Sequence, residues 1–166
     1  AFPEIKDKLL APVLDFSNSI EAVAGEFMNL GKKMGINVIR VMDSFHNAHE
    51  RQMEFEKAKK EEGKKILKWL EDNPKETAIV VFGRPYNAFS GHLGANRGIT
   101  RKIASLGIHV IPLDFLPLED EELKKMYWPA GKAIVKGARF VAKHSQLFPL
   151  YLTNFSCGPD SFLNFL

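Results

Sequence analysis

The run TAIVVF at residues 77–82 constrains the fold more than any other segment of the chain. It is short, rich in β-branched residues and free of polar alternation, a pattern typical of a parallel strand that is covered on both faces. A parallel neighbour requires a crossover, and residues 96–106 predict a crossover helix that Gly107 ends. Residues 108–113 then predict the second strand.

The remainder of the chain continues this alternation of helices and strands. The acidic run at residues 119–122 predicts a helix start, because negative charge is favourable there, and Pro129 is expected to break that helix. Residues 130–144 predict another helix, and residues 148–153 predict a third strand before a last helix near Asp160. We therefore expect an α/β fold, a Rossmann-like three-layer half-domain with adjoining parallel strands and right-handed crossovers, preceded by two helices.

The first leading helix is predicted from an amphipathic pattern. Apolar residues recur at three- and four-residue spacing over residues 15–33, which is the period of a helix with one buried face. Asp15 and Ser17 are the candidate caps at its start, and Gly35 is expected to end it.

The second leading helix is longer. Ser44 is its candidate cap, Gly63 marks an expected weak point, and Pro74 follows its end. The predicted domains are a helical lead-in at residues 1–75, packed on the sheet domain, and a Rossmann-like β-α-β-α-β domain at residues 76–166.

Charge and cysteine content exclude several classes of function. The chain has 23 basic and 20 acidic residues, giving a net charge of +3, and the two signs are mixed, so nucleic acid is not an expected partner. The single cysteine, Cys157, excludes an internal disulfide and any metal cluster held only by thiolates of this chain. Without a signal-peptide layout or a long apolar run, no membrane partner and a cytoplasmic location are expected.

Candidate site residues follow the predicted strands, because ligands of open parallel sheets bind beyond the carboxyl ends of the strands. Three segments meet there, at residues 83–96, 114–118 and 154–160. The first supplies Arg84, which can pair with a carboxylate or phosphate, and neutral hydrogen-bonding groups. The candidate side chains expected to line one concave region are Arg84, Tyr86, Asn87, Asp114 and Cys157, with His92 and Asn96 as further polar groups of the first loop. The glycines of this loop match neither a dinucleotide nor a P-loop fingerprint.

Each candidate also has a structural interpretation. Arg84 is as readily explained by a structural ion pair. Cys157 precedes a predicted helix, where the dipole favours a thiolate that acts as nucleophile or metal ligand, but a half-buried turn thiol fits the same pattern. His46 and His49 share a helix face, and hydrogen bonding explains them better than metal ligation.

The segments VVFGRPYN at residues 80–87, GIHVIPLDFLP at 107–117 and LTNFSCGPDSF at 152–162 resemble a known family. Their order and distance are similar to a C-terminal block of large 2-hydroxyacyl-CoA dehydratase activase proteins, also called CoA-substrate-specific enzyme activases. In those proteins the block follows ATP-binding activase domains and is similar to iron–sulfur dehydratase subunits. The resemblance covers residues 77–166 well and the leading helices in general layout.

The resemblance implies that the chain is one compact fragment of an ATP-driven iron–sulfur electron-transfer system acting on acyl-CoA thioesters. It implies that Cys157 is one ligand of a 4Fe-4S cluster completed by further cysteines of the parent protein, with Arg84, Tyr86 and Asn87 in the same cleft. The partners would be the remaining domains of the parent chain, an acyl-CoA substrate or dehydratase subunits. The fragment alone is expected to be inactive and free of a cluster. The alternative is a non-catalytic scaffold or subunit-contact domain of the same large protein.

Overall fold

The computed structural model describes residues 9–17, 19–88, 96–118, 123, 126–154 and 157–163. In chain order the elements are helices α1 (Ile20–Lys33) and α2 (Val38–Asp72), strand β1 (Ala78–Gly83), the short helices α3 (Pro85–Ala88) and α4 (Ile99–Ala104), strand β2 (His109–Pro112), a 3-10 turn (Leu113–Phe115), helix α5 (Pro129–Ala142), strand β3 (Leu147–Leu152) and helix α6 (Gly158–Leu163).

The chain divides into two compact units, one up to Glu56 and one from Lys57 onward. The division falls inside α2, so the second half of this helix belongs to the unit that contains the sheet. The domain boundary predicted between residues 75 and 76 stays a prediction.

The three strands form one parallel sheet in the order β2-β1-β3. Ala78 pairs with His109 of β2 on one side and with Leu147 of β3 on the other. This confirms the predicted fold class, with parallel strands displaced by at most one residue from the predicted ranges. The central strand β1 is the apolar run of the sequence, and Val80 and Val81 in it are fully buried, as expected for a strand covered on both faces.

The core of the sheet unit is built from all three strands, the second half of α2, and helices α5 and α6. Its buried members are Leu70, Ala78, Val80, Phe82, Ile111, Leu113, Leu116, Met126, Ile134, Val141, Leu147 and Leu163. The strands thereby form a rigid base for the loops at their carboxyl ends.

Two glycines allow close packing in this unit. A Cβ at Gly63 of α2 would clash with the backbone carbonyl of Phe115, and one at Gly137 of α5 would clash with the side chain of Leu113. The helix continues through Gly63. The expected weak point is therefore a position where the 3-10 turn approaches α2 directly.

The helix starts differ from the predicted ones. Ser19 caps α1, accepting a hydrogen bond from the Ala22 amide at 3.3 Å, while the expected caps Asp15 and Ser17 bond to each other. Gly35 follows the end of α1 in the left-handed conformation, as predicted.

The starts of α2 and α5 also differ from the predicted ones. Helix α2 begins at Val38 and not at Ser44, because the Asn37 side chain accepts a bond from the Ile39 amide at 2.8 Å. Pro129 lies in the first turn of α5 and therefore starts this helix. The helix predicted from residues 119–122 lies outside the described residues.

The unit up to Glu56 is a pair of helices, α1 and the first half of α2. Gly31 of α1 lies against the side chain of Val41, and the rings of Phe27 and Phe45 are 5.4 Å apart. In these two segments only Val23, Ala24 and Gly31 are buried among the described residues.

Candidate functional site

The strand order places a topological switch point between β1 and β3. The chain runs from the central β1 to β2 on one side and then returns to β3 on the other side. In open parallel sheets the loops at such a point diverge and leave a crevice beyond the carboxyl ends of the strands, which is the usual place for a ligand. The described residues that follow β1 and β3 here are 84–88, 153–154 and 157–160.

Arg84 connects these two segments. Its Nε atom donates to the Asp160 carboxylate at 3.0 Å, and its Nη2 atom lies 3.9 Å from the Cys157 sulfur. The Arg84 side chain is 20% exposed, whereas that of Asp160 is 1% exposed. The Asp160 hydrogen bond and charge raise the pKa of Arg84, so the guanidinium stays charged throughout the physiological range. We call Arg84, Cys157, Asp160 and Thr153 the switch-point cluster.

Asp160 is a buried carboxylate that stays ionised. Burial by itself raises the pKa of Asp160, but the hydrogen bond and charge of Arg84, with further hydrogen bonds from Thr153 and Cys157, lower the pKa below its ordinary value. The Thr153 hydroxyl donates to the second carboxylate oxygen at 3.2 Å. Both oxygens of Asp160 are thus occupied, and the carboxylate fixes the position of the guanidinium beside the sulfur.

A second set of contacts joins the same two segments. The Asn87 side chain donates to the Leu152 carbonyl at 3.2 Å, and the Asn154 side chain donates to the Tyr86 hydroxyl at 2.9 Å. Gly83 has φ 145° and lies so close to the Leu152 carbonyl that a Cβ would clash with it. Asn87 is buried and Tyr86 is 58% exposed, so Asn87 joins the two segments from within and Tyr86 lies at the surface beside them.

Tyr151, on β3, lies behind the cluster. Burial raises the pKa of its phenol, and the negative charge of Asp160 raises it further. The phenol therefore remains neutral at physiological pH and leaves the charge of the Arg84–Asp160 pair unchanged.

Asp114 does not share these contacts. Its carboxylate pairs with Lys59 of α2 at 2.8 Å, and Lys60 donates to the backbone carbonyls of Asp114 and Leu116. Asp114 follows β2, on the opposite side of β1 from β3, which explains the separation. Four of the five side chains expected to converge are thus linked across β1 and β3, and the fifth ties the 3-10 turn to α2.

The remaining candidates have structural contacts or lie outside the described residues. Asn96 donates to the Ala88 carbonyl and accepts from the Gly98 amide, which orders the turn before α4. His92 lies outside the described residues. His46 and His49 lie against the Phe45 ring, and the part of the chain that the structure describes holds no group of three or more side chains suited to a metal ion.

Sequence reasoning missed the roles of Asp160 and Thr153. A carboxylate in the first turn of a helix is common for reasons of helix stability alone, so Asp160 carried no distinct signal. Its partner Arg84 is 76 positions away. Only the adjacency of β1 and β3, which the sequence pattern does not specify, brings the pair together.

The described side chains at the switch point could supply one ligand of an iron–sulfur cluster, the Cys157 sulfur, but not all the ligands that a cluster requires. Cys157 is a free, half-buried thiol, and a 4Fe-4S cluster takes four protein ligands. The guanidinium beside the sulfur suits a thiolate ligand, because N–H groups directed at sulfur stabilise its negative charge.

The fold and the switch-point cluster together define a Rossmann-like α/β domain whose polar side chains meet between the ends of β1 and β3. Residues 1–116 match the family described as CoA enzyme activase uncharacterised domain, and the chain belongs to this family. The match includes both leading helices and the Arg84 segment, and the Cys157 segment follows it. No curated protein and no solved structure matches the chain.

None of the helices in the described ranges combines the length and the apolar character that a membrane crossing requires. This includes α2, whose 35 residues carry numerous charges.

Proposed function

We propose that this domain forms one wall of a cluster or substrate cleft in an ATP-driven iron–sulfur electron-transfer system related to 2-hydroxyacyl-CoA dehydratase and its activator. The proposal builds on membership in the CoA enzyme activase family. The parent protein would supply the ATP-binding domains and the other cluster ligands. An acyl-CoA substrate and dehydratase subunits are the proposed partners, and the cytoplasm is the proposed location.

The observation that carries the proposal is the contact between Arg84 and Cys157 at the switch point. The two residues are 73 positions apart, yet the Arg84 Nη2 atom lies 3.9 Å from the Cys157 sulfur. An N–H group directed at a half-buried sulfur suits a sulfur ligand of a metal cluster, because it orients the sulfur and offsets the negative charge of the bound ligand. A 4Fe-4S cluster, when bound, would supply single-electron transfer.

The residues of this chain would have distinct roles in that cleft. Cys157 supplies one sulfur ligand. Arg84 donates an N–H group toward the sulfur, which holds its orientation and offsets its charge. Asp160 keeps Arg84 in place and makes the pair neutral, so the site adds little net charge to the cleft. Tyr86, exposed at the surface, is available to a bound substrate.

The second candidate is a non-catalytic scaffold, and one observation favours it. Asp160 is buried with both oxygens bonded, and the Asn87 side chain bonds a backbone carbonyl of β3. These contacts join two strand ends whether or not a ligand is present. On this interpretation the Arg84 and Cys157 segments are packing and turn motifs.

The test is the Cys157→Ser substitution in the full-length parent protein, purified without oxygen. Serine preserves the size but removes the soft sulfur ligand. We expect lower iron content and loss of ATP-dependent electron transfer, while the free energy of unfolding changes by about 1 kcal/mol at most. Ser161→Ala is the matched control, because Ser161 is an exposed residue of α6, the helix that directly follows Cys157. Full iron content and full activity in the Cys157→Ser protein would favour the scaffold.

A further inference from the structure

The helix pair contains an apolar pocket of about 640 Å³. Pockets of about 300 to 1,000 Å³ that are lined mainly by apolar and aromatic side chains are typical sites for small molecules. The large apolar residues of the lining are Phe16, Ile20, Phe27, Ile36, Val41 and Phe45. All of the lining residues precede Glu56, so this pocket, which we call the helix-pair pocket, belongs to one unit of the chain.

The apolar lining is open to solvent. Phe16 is 67% exposed and Ile36 is 41% exposed. Phe27 and Phe45 are half-buried, and their ring centres are 5.4 Å apart. Aromatic rings carry a large apolar surface. A ligand that covers these rings is therefore stabilised by the removal of that surface from water.

Arg40 is a charged group of this pocket. It lies in the first turn of α2, where the helix has no acidic residue. In the part of the chain that the structure describes, no ion pair joins Arg40 to a carboxylate, whereas Arg51, farther along the same helix, pairs with Glu54 at 2.9 Å. The described lining residues include no carboxylate. Arg40 is thus a cation at an apolar pocket, without an ion-pair partner among the described residues.

The other polar groups of the lining are arranged along α2. Ser44 is four residues after Arg40, so the two side chains lie on one face of the helix, about one turn apart. The Gln52 amide donates to a carboxylate farther along α2, and the His49 ring stacks on the Phe45 ring. Arg40 and Ser44 are therefore the groups available to a polar atom of a ligand.

We infer that the helix-pair pocket binds a hydrophobic monocarboxylate, a molecule with an aliphatic chain and one carboxylate group. The carboxylate would pair with Arg40, whose guanidinium can hold both oxygens, and would accept a hydrogen bond from Ser44. The aliphatic chain would cover the phenylalanine rings. Such a chain needs apolar volume and few directional contacts, so two helices that enclose no large core suffice for it.

The inference goes beyond the proposed function, since no residue of the switch-point cluster takes part. Two other occupants suit the pocket less well. Binding to an anionic membrane relies on several cations beside an apolar face, and Arg40 is the one arginine or lysine among the described lining residues. A symmetric contact with a second copy of the chain would place the same lining residues against each other, and these include no carboxylate for Arg40.

The experiment measures the binding of decanoate and of 1-decanol to the 166-residue chain at pH 7 by isothermal titration calorimetry. The two probes have the same chain length, and only decanoate carries a charge. Decanoate should bind about tenfold more tightly than 1-decanol, because a hydrogen bond between charged groups contributes more than one between neutral groups. Arg40→Gln should weaken decanoate binding by about tenfold and change 1-decanol binding by less than about twofold. The matched control Arg51→Gln removes the same charge from the same helix and should change both affinities by less than about twofold.

A second variant tests the location of the ligand. Ala48 lines the pocket and is exposed, so a tryptophan there fills apolar volume without disturbing a buried contact. Ala48→Trp should weaken the binding of both probes by about tenfold or more. Circular dichroism verifies that the helices of each variant are intact.

Five results would overturn the inference. The first is no binding of decanoate, and the second is equal affinity for decanoate and 1-decanol, which would leave Arg40 without a role. The third is an equal loss of affinity in Arg40→Gln and Arg51→Gln, and the fourth is unchanged binding in Ala48→Trp. The fifth is a different occupant: a dimer in analytical ultracentrifugation that Ala48→Trp dissociates, or tighter binding to phosphatidylglycerol vesicles than to decanoate.

Discussion

The two units of the chain bury their apolar residues to very different extents. Among its described residues, the unit from Lys57 onward has a core of twelve buried residues around its sheet. In the helix pair of the other unit, the described residues of α1 and the first half of α2 bury only Val23, Ala24 and Gly31. The helix pair also has an open pocket of about 640 Å³ lined by apolar side chains such as Phe27 and Phe45.

This difference shows which unit can hold a precise site. A sheet covered by helices fixes its strand ends, and the switch-point cluster relies on that rigidity to keep Arg84 beside Cys157. A pair of helices has one contact face and cannot enclose a core of this kind. We therefore expect the same substitution to have unequal effects in the two units.

The largest expected contrast is between two isoleucines. Ile111 is fully buried in the sheet unit, whereas Ile39 in the helix pair is 70% exposed. Ile111→Ala should lower the free energy of unfolding by about 4 kcal/mol, because it removes buried methyl groups and leaves a cavity. Ile39→Ala should change it by less than about 0.5 kcal/mol. Urea denaturation of both variants measures the contrast, and equal losses would show that the helix pair has a core of its own.

Two helical glycines give the next contrast. Gly63→Ala places a methyl group against the Phe115 carbonyl, whereas a methyl group at Gly25 of α1 meets nothing within 4 Å. We expect Gly63→Ala to destabilise the protein by about 3 kcal/mol through overpacking. Gly25→Ala should stabilise it by up to about 1 kcal/mol, because alanine favours the helix. Thermal unfolding should show a lower melting temperature for Gly63→Ala and a higher one for Gly25→Ala. An unchanged melting temperature for Gly63→Ala would contradict the close approach of the 3-10 turn to α2.

A smaller effect on the free energy of unfolding is expected at acidic pH. The pKa of Asp160 is lowered in the folded protein, so its contribution to stability is present above its unfolded pKa of about 4 and is lost as the pH falls through the folded pKa. Asp160→Asn should be less stable than the wild type by about 2 kcal/mol at pH 7. That difference should shrink below about pH 4, as measured by urea denaturation over a pH series. A constant difference would mean that the Asp160 charge has no part in folding.

The sequence predicted the strands better than it predicted the contacts between distant segments. The run at residues 77–82 is short, apolar and rich in β-branched residues, which favours a strand covered on both faces, so β1 was recognised. The cap of α1 was misassigned because Asp15, Ser17 and Ser19 all have suitable side chains, and only backbone geometry selects Ser19.

The contacts that the sequence left undetermined join residues far apart in the chain. Gly63 was interpreted as a weak point, since its partner Phe115 is distant in the sequence. Arg84, Tyr86, Asn87 and Cys157 were selected because they follow strands, and that reasoning applied equally to Asp114. The order β2-β1-β3 separates Asp114 from the other four and joins Arg84 to Asp160.

The central claim is that the ends of β1 and β3 bring the half-buried Arg84 and the buried Asp160 together as an ion pair beside Cys157. A double-mutant cycle with Arg84→Met, Asp160→Asn and the combined variant, measured by urea denaturation at pH 7, tests it directly. We predict a coupling free energy of about 2 to 3 kcal/mol, because each single variant removes the partner of the other group and Arg84→Met leaves the Asp160 carboxylate buried without its cation. A coupling below about 0.5 kcal/mol would contradict the pairing and, with it, the switch-point cluster.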